Sequence, residues 1–288
     1  MIAISLSELT LISIISSGFL VTKIHMKRIF IFAFAAFIFS SCDNNDESTE
    51  MQPVEDAKTT ITFDARVGNT DFALNKDFTI GTRTYNFSKL RYWVSNVTLV
   101  DSKGAEYLIP DSYYLMEEVG DLNLSGTISD KLTYPARKRE AIDIEQIPAG
   151  EYKSIKFSVG VDSKHNDNLS LQAGELSIAN GMSNIAWMWH TSYIFSSVAG
   201  TVKEGATSAE FLAETGLNAN YKTVSIDFAA PVNFSSAKGI VLNLDVTKII
   251  DGIDLIKTPK VNAAQSAVMS ALAANYGSKA VAFGSVSN

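Results

Sequence analysis

Tyr152-Lys-Ser-Ile-Lys-Phe-Ser-Val-Gly-Val161 is a run in which apolar and polar side chains alternate. Successive side chains of an extended chain point to opposite faces, so Ile155, Phe157 and Val159 share one face and Lys156 lies on the other. This alternation is typical of a β-strand with one buried side. The run therefore predicts a half-buried strand.

Similar runs recur after residue 59 and indicate the fold class. Breaks rich in Gly and Pro, such as residues 101–104 and 148–150, separate them. Many short runs of period two, rich in β-branched and aromatic residues, favour antiparallel sheets. The sequence predicts an all-β fold, an antiparallel β-sandwich with long loops, whose strands include residues 60–67, 90–100, 106–109, 113–116, 152–161, 224–228 and 239–246.

A short C-terminal helix is predicted after these strands. Residues 262–275 are rich in alanine and place Ala264, Val268 and Leu272 at helical intervals. Gly277 follows, and helices commonly stop at glycine.

Two other segments are predicted to be long loops, because residues 169–184 and 201–220 carry Gly, Asn and Ser with little periodicity. No internal repeat or domain boundary is evident within residues 59–288, so we expect that range to form one sandwich domain.

The N-terminal region is similar to a bacterial lipoprotein signal peptide. Lys27 and Arg28 precede an apolar stretch, residues 29–39, that is too short to span a bilayer as a stable helix. Cys42 follows at the position of a lipidation site. Residues 26–41 are therefore predicted to be the signal peptide, with a lipid on Cys42.

The flanking segments complete this prediction. Residues 1–25 precede a complete signal-peptide start, so we interpret them as a mis-called extension; a two-helix anchor is the alternative. Residues 42–58 are polar and acidic, which is typical of a flexible tether.

Acidic residues directly after the cysteine resemble the surface-export signal of lipoproteins in Bacteroidetes. We expect an outer-membrane or cell-surface lipoprotein on either the periplasmic or the exposed side, held to the membrane by its N-terminal lipid. The alternative is a buried cysteine behind an anchor helix.

Composition excludes several classes of protein. The formal net charge of −7 argues against nucleic acid as a partner. Cys42 is the only cysteine, which excludes disulfides and Cys-based metal sites from the domain. The sequence contains no metalloprotease, serine-hydrolase, phosphate-loop or dinucleotide-binding motif. We therefore expect a binding protein and not an enzyme.

An aromatic stretch near residue 190 is the richest source of chemistry. In an extended conformation, Trp187, Trp189 and Tyr193 share one face, and Met188 and His190 share the other. Thioether and imidazole groups both suit Cu(I), so Met188 and His190 are candidate copper ligands. An aromatic core with one hydrogen-bonded histidine explains the same spacing, and both interpretations stay open.

A second histidine lies in the polar segment after residue 161. There we expect His165 to be a solvated loop residue, and we retain it as a candidate metal ligand. Asp162, Asp167 and Asn168 offer oxygen atoms that suit a hard cation such as Ca²⁺, although their spacing matches no twelve-residue calcium loop.

An ordered series of segments resembles the MbnP-like family of bacterial exported proteins. The series covers most of residues 60–250 and consists of residues 87–99, 113–116, 147–162, 181–182, 187–189, 193–195 and 242–249, followed by the terminal helix with Asn275. The resemblance implies a β-sandwich. It also implies copper, bound by histidines and an oxidised tryptophan, a kynurenine, that is made with the help of a di-haem partner of the MbnH type.

Oxidation gives this tryptophan a new role, because it replaces a donor-only indole N–H with an aniline and a ketone that offer lone pairs. Three departures from the family pattern bear on copper. Residues 63–68 lack a histidine, Ser192 stands where a glycine is usual, and residues 183–186 lengthen the interval before Trp187.

The combined prediction is a lipid-anchored envelope protein that binds a ligand without turnover. The ligand is copper in the first interpretation, with His190, Met188, Trp187 or Trp189, and His165 as ligands and Tyr193 in contact. The alternative is a structural or glycan-contacting surface lipoprotein, in which exposed aromatic side chains stack on sugars and no metal is bound.

Overall fold

Two β-sheets face each other across a shared apolar core. A computed structural model of the chain describes residues 58–125, 132–184 and 192–287. Most of these residues are extended, and the helices are short. The predicted β-sandwich is confirmed.

The secondary-structure elements are numbered in chain order. Strands β1 to β18 are Thr59–Val67, Thr70–Asp71, Asp77–Ile80, Arg83–Asp101, Glu106–Leu108, Tyr113–Val119, Leu122–Asn123, Thr133–Tyr134, Arg137–Arg139, Ala141–Ile144, Glu151–Val159, Ser183–Asn184, Ser192–Glu204, Thr207–Gly216, Lys222–Asn233, Gly239–Asp245, Lys260–Val261 and Val281–Ser287. Helices α1 to α3 are Ser163–Asn166, Val246–Ile249 and Ser266–Ser278, and short 3-10 helices cover Ile178–Asn180, Asn218–Asn220 and Ala263–Gln265.

Within the described residues, the larger sheet has eleven strands and is built around β4. Its main path runs β15-β11-β4-β13-β14-β17, and β3, β5 and β6 also pair with β4. The smaller sheet follows the order β10-β1-β16-β18, with β2 paired to β1. Two pairs are parallel, β1 with β16 and β14 with β17, so the sheets are mixed where the sequence predicted antiparallel pairing alone.

Aromatic side chains join the two sheets in the core. Phe63 of β1 meets Phe157 of β11 edge to face, with ring centroids 5.2 Å apart. Ile155 and Val159 are buried on the same face, as predicted. On the opposite face, Ser154 and Ser158 are also buried, while Lys156 is partly exposed. The predicted buried face of β11 is therefore confirmed, and the opposite face is more covered than predicted because Ser158 is buried.

Strand β4 changes face twice because it contains two β-bulges. Opposite β13, Lys89 pairs with Ala199 and Phe87 pairs with Gly200, which leaves Ser88 as an extra residue. Opposite β11, a second register shift occurs between the pairs Lys156–Thr98 and Ser158–Ser95. A bulge bends its strand and re-aims side chains. The second bulge lies beside the candidate site described below.

One predicted loop is a β-hairpin. Residues 201–220 contain the end of β13 and all of β14, which pair from Ile194–Gly216 to Glu204–Thr207. The prediction failed because only Val202, Phe211 and Ala213 mark the buried face, among small and charged residues whose alternation is weak. By contrast, residues 169–184 are mostly irregular, as predicted.

The predicted C-terminal helix is confirmed as α3, but its buried face differs. Met269, Leu272, Ala273 and Tyr276 are buried at helical spacing, and the helix passes Gly277 to end at Ser278. Tyr276 packs on Tyr92 of β4, with ring centroids 6.1 Å apart. The helix thus packs into the same core as the sheets.

All described residues belong to one compact unit, Thr49–Asn288. Within them, no helix combines the length and apolar character needed to cross a membrane.

Candidate functional site

A second apolar cluster lies on the outer face of the larger sheet, at the end where β11 stops. We call it the second core. Its buried members are Trp93, Tyr113, Leu115, Val161, Ala173, Leu176, Met182, Tyr193 and Phe195. These residues come from β4, β6, β13 and the segments after β11, so the second core forms where several elements meet.

Gly160 fixes the path of the chain as it leaves β11. Its φ angle is +118°, and a Cβ atom added there would lie 2.6 Å from the ring of Phe195. The carbonyl oxygen of Gly160 accepts a hydrogen bond of 2.8 Å from Ser95 Oγ. Only glycine combines this backbone with such a close approach of an aromatic ring. The turn directs the next residues over the second core.

Asp162 follows this turn and begins helix α1. Its side chain caps the helix by accepting a hydrogen bond of 3.3 Å from the backbone N–H of His165. Aspartate is among the preferred residues at this position, because it satisfies an N–H group that has no partner inside the helix. The cap places the Asp162 carboxylate beside the His165 ring.

His165 is buried, with 6% of its surface exposed. Its Nδ1 lies 2.9 Å from the hydroxyl of Tyr113 and 3.2 Å from Asp162 Oδ1. The expectation of a solvated loop residue is therefore wrong. The sequence could not show this burial, because Tyr113 comes from a distant strand.

The arrangement of hydrogen bonds sets the tautomer of His165. The Tyr113 hydroxyl donates its only hydrogen to Asp162, so its oxygen can only accept from the imidazole. Both neighbours of Nδ1 are then acceptors, and Nδ1 carries the hydrogen. In the neutral ring, Nε2 keeps its lone pair.

The same contacts shift the pKa values of the two acidic groups. Burial acts to raise the pKa of Asp162, but hydrogen bonds from Tyr113 and His165 outweigh it, and the pKa lies below its usual range. Burial raises the pKa of Tyr113, and the hydrogen bond to Asp162 raises it further. Asp162 is thus a carboxylate, and Tyr113 keeps its proton.

Asn96 extends this polar cluster to a further strand. It lies at the second bulge of β4 with a φ angle of +51°. Its Nδ2 donates to the hydroxyl of Tyr221 at 2.6 Å and approaches Asp162 Oδ2 at 3.4 Å. This contact has no signature in the sequence, because a bulge depends on pairing with other strands.

Asn166 connects helix α1 to the start of β13. Its Oδ1 accepts a hydrogen bond of 2.8 Å from the backbone N–H of Tyr193, and its Nδ2 donates to Asn218 Oδ1 at 2.8 Å. The side chain is fully buried. It therefore holds the backbone at the start of β13.

Tyr193 is buried in the second core, as the aromatic-core alternative required of it. Its ring meets Trp93 edge to face, with centroids 5.9 Å apart. Among the described residues, neither the Tyr193 hydroxyl nor the Trp93 indole N–H has a hydrogen-bond partner. Because an unpaired buried polar group is costly, both groups would gain from a polar ligand or neighbour.

The other predicted site residues lie outside the described residues. These are Cys42, Trp187, Met188, Trp189 and His190. The segment that carries the last four joins Asn184 to Ser192, and these two residues pair across β12 and β13. Both ends of the predicted copper segment therefore lie next to Tyr193 and the second core.

The hard-cation alternative finds no support in the described residues. Asp162 bonds to Tyr113 and His165, Asp167 accepts two hydrogen bonds from Asn218, and Asn168 accepts from Ser170. No group of three or more His, Cys, Asp or Glu side chains in this part of the chain is placed to hold a metal.

The glycan-contacting alternative requires exposed aromatic side chains. Across residues 58–125, 132–184 and 192–287, the exposed large apolar side chains are Leu108 and Ile178, and neither is aromatic. This part of the chain therefore offers no exposed ring on which a sugar could stack.

Comparison with known protein families shows which family the chain belongs to. The sequence model of the MbnP family matches residues 56–270, well over half of the protein. The chain belongs to the MbnP family. Among solved structures, MbnP from Methylosinus trichosporium is similar at 19% sequence identity and a TM-score of 0.46, covering 70% of this chain and 80% of that chain. A search of curated proteins gave no significant match.

Family membership confirms the resemblance seen in the sequence. In this MbnP-family chain, the matched range includes the whole His165 cluster and both ends of the aromatic segment. Sequence reasoning found His165, Asp162 and Tyr193, but missed Tyr113, Asn96 and Tyr221 as their partners. Tyr113 lay in a predicted strand, and only the pairing of β4 with β6 brings it to the site.

Proposed function

We propose that this MbnP-family protein is a lipid-anchored protein of the cell envelope that binds copper without turnover. The sequence pattern of residues 26–42, which resembles a lipoprotein signal peptide ending at Cys42, supports the location. Membership of the MbnP family supports the ligand. A di-haem protein of the MbnH type is the proposed partner.

One observation carries the proposal: the His165 ring is held as a metal ligand would be. Histidine ligands commonly donate their second ring N–H to a carboxylate, which fixes the tautomer and makes the other nitrogen more basic. Asp162 and Tyr113 surround Nδ1 of His165 in this way. Among the described residues, every hydrogen bond of the His165 ring involves Nδ1. Nε2 is therefore the nitrogen whose lone pair would bind the metal.

In this proposal the described residues supply one ligand of the copper site, the imidazole ring of His165. An imidazole nitrogen suits Cu(I) or Cu(II), and the apolar second core beside it would limit the access of water. The further ligands of the proposal are His190, Met188 and an oxidised Trp187 or Trp189. The ends of their segment, Asn184 and Ser192, are next to Tyr193 in the second core.

The protein residues have separate roles in this proposal. Asp162 and Tyr113 hold the His165 ring and its tautomer, and Asn166 fixes the backbone of Tyr193 at the end of the copper segment. Asn96 and Tyr221 orient the carboxylate from the other side. The site is therefore preorganised by hydrogen bonds between four elements.

The test is copper binding by the full chain purified from its own host, where the partner is present. We expect His165→Ala and His190→Ala each to lower copper affinity strongly, and Asp162→Asn to lower it about 10- to 100-fold. Asparagine still caps a helix, so α1 is expected to survive this change. Tyr107→Phe is the control, because Tyr107 donates to Gln146 on an exposed part of the domain.

Intact-mass analysis of the same protein tests the modified tryptophan. A chain that binds no copper and has unmodified Trp187 and Trp189 would contradict the proposal. Copper affinity that stays unchanged in His165→Ala would remove His165 from the site.

A further inference from the structure

Strand β15 forms an open edge of the larger sheet. It pairs with β11 on one side, and among the described residues no strand pairs with its other side. It runs in unbroken register with β11 from the pair Val159–Lys222 to the pair Ser154–Asp227. An unpaired edge presents a row of N–H and C=O groups to which another strand can bind. We call residues 222–227 the open edge.

The other strands that end the two sheets are less suited to pairing. Strand β17 has two residues and β10 has four, and β18 carries an extra residue, Gly284, between its pairs with β16. Short strands and bulges are common ways in which proteins protect sheet edges. Residues 223–226 of the open edge, Thr-Val-Ser-Ile, contain no charge, proline, glycine or bulge. This edge therefore lacks the usual protection.

A large bulge ends the open edge on one side. Between Asp227 and Val232, four residues of β15 lie opposite a single residue of β11, Lys153. The four include Pro231, which has no N–H group to donate to a neighbouring strand. Regular pairing with a further strand is therefore limited to the residues before Phe228.

The open edge has an apolar face and a polar face. Val224 is buried in the core between the sheets, and Ile226 packs against that core. Thr223, Ser225 and Asp227 are exposed on the outer face. Side chains alternate along a strand, so a strand that pairs here keeps its own apolar and polar residues on these same faces. A matching strand therefore needs apolar side chains opposite Val224 and Ile226 and polar ones opposite the other three.

We propose that the open edge pairs in antiparallel fashion with the open edge of a second copy of this chain, about a two-fold axis at Ser225. The axis is perpendicular to the sheet, so the inner and outer faces of the two copies stay aligned. Val224 then lies opposite Ile226 of the second copy, and Thr223 lies opposite Asp227 of the second copy. Symmetry repeats both contacts, and Ser225 lies opposite its own equivalent. Dimers with two-fold symmetry are the commonest protein oligomers.

Hydrogen bonding and charge favour this register. Thr223 Oγ1 lies 3.0 Å from Ser158 Oγ of β11, and either hydroxyl can donate. In the dimer Ser158 donates to Thr223, and the Thr223 hydroxyl donates to the Asp227 carboxylate of the second copy. No like charges lie opposite each other. A two-fold axis at Val224 would instead place the ammonium group of Lys222 opposite an apolar side chain.

The length of the paired segment sets the expected strength of the dimer. Five residues of each copy take part, which is a length of about 17 Å. Standard interfaces bury about 1,600 Å² in total, and smaller ones are typical of transient complexes. We therefore expect a weak dimer that forms at high protein concentration. The open edge binds no copper in the function proposed above, so this inference does not depend on that function.

The experiment is sedimentation equilibrium of the full chain in a density-matched detergent, over a range of protein concentrations. Thr223→Lys places a lysine opposite Asp227 of the second copy, so the dimer should become several-fold tighter. Ser225→Lys places two lysines opposite each other, so the dimer should become several-fold weaker. Ser208→Lys, at an exposed position of β14, is the control and should leave the affinity unchanged.

Cross-linking locates the contact. Directly opposite side chains of antiparallel strands have Cβ atoms about 4.5–5.5 Å apart, so the cysteines of two Ser225→Cys copies are within reach of a short bifunctional maleimide. We expect a covalent dimer in which peptide mass spectrometry finds residue 225 linked to residue 225, and no equivalent link in Ser208→Cys. A parent chain that stays monomeric at its highest soluble concentration would overturn the proposal, as would Thr223→Lys and Ser225→Lys variants that change the affinity in the same direction.

Discussion

At the scale of single residues, the position of the His165 cluster depends on Gly160. This residue combines a positive φ angle with a contact that leaves no room for a Cβ atom. The next two residues lead to Asp162, whose carboxylate caps α1 and holds His165. A change at Gly160 therefore acts on both the backbone and the candidate site.

We expect Gly160→Ala to destabilise the protein more than Gly68→Ala does. Both residues have positive φ angles, but an added Cβ atom meets nothing within 4 Å at Gly68 and lies 2.6 Å from Phe195 at Gly160. The backbone cost alone is roughly 1–2 kcal/mol in a left-handed conformation. The clash adds to it at Gly160. Urea unfolding of the two variants measures the difference, and equal losses of stability would show that Phe195 moves aside freely.

At the scale of elements, strands β4 and β6 carry a buried ion pair on the outer face. Arg91 Nε lies 2.8 Å from Glu117 Oε2, and both side chains are almost completely buried. Tyr134 donates to the second oxygen of Glu117 at 2.5 Å, and its ring covers the Arg91 guanidinium. This pair holds the β7–β8 segment against the larger sheet.

We expect Glu117→Gln to cost about 3–5 kcal/mol of unfolding free energy, because it leaves the Arg91 charge buried without a counter-ion. The double variant Arg91→Met, Glu117→Leu should recover much of that loss, since it removes both charges together. A double-mutant cycle in urea measures the coupling. The exposed pair Lys58–Asp143 is the control and should show little coupling, because solvent screens its charges. A similar small coupling for Arg91 and Glu117 would contradict the structural role given to the pair.

The secondary-structure elements also show how much of the fold can be predicted from the sequence. The strands with clear alternation, such as β1, β11 and β16, appear where the pattern placed them. The hairpin of β13 and β14 was missed, because tertiary pairing stabilises strands whose own residues alternate weakly.

The bulges of β4 leave no local signature in the sequence, yet they reverse which side chains face the core beyond Lys89 and Asn96. Asn96 of the candidate site lies at the second bulge. A sequence-only prediction therefore finds residues such as His165 and Asp162, but it cannot bring Tyr113 or Asn96 to them.

At the scale of the whole molecule, the inner and outer faces of the larger sheet have different roles. The face between the sheets is closed by apolar side chains, including Tyr276 of α3. The outer face of the larger sheet carries the second core and the ion pair of Arg91. The candidate site thus lies on the outer face of the larger sheet, away from the core between the sheets.

The end of the chain is part of the fold beyond the range matched by the family. That match stops at residue 270, inside α3. Beyond it, Leu272 and Tyr276 are buried in the core, and β18 pairs with β16 from Val281–Leu244 to Ser287–Gly239. Loss of these residues would expose the core and leave β16 without its antiparallel neighbour.

We therefore expect a chain that ends at residue 270 to lose its cooperative unfolding transition. Each large core side chain removed costs several kcal/mol, about 2–5 for a leucine cut to alanine, while a domain is stable by only about 5–15 kcal/mol in total. Removing α3 beyond its first turn together with β18 exceeds that margin. Circular dichroism during heating tests this, with a chain ending at Ser287 as the control. If the shorter chain melts as sharply as the control, then α3 and β18 only cover a core that is already stable, and the sandwich is complete without them.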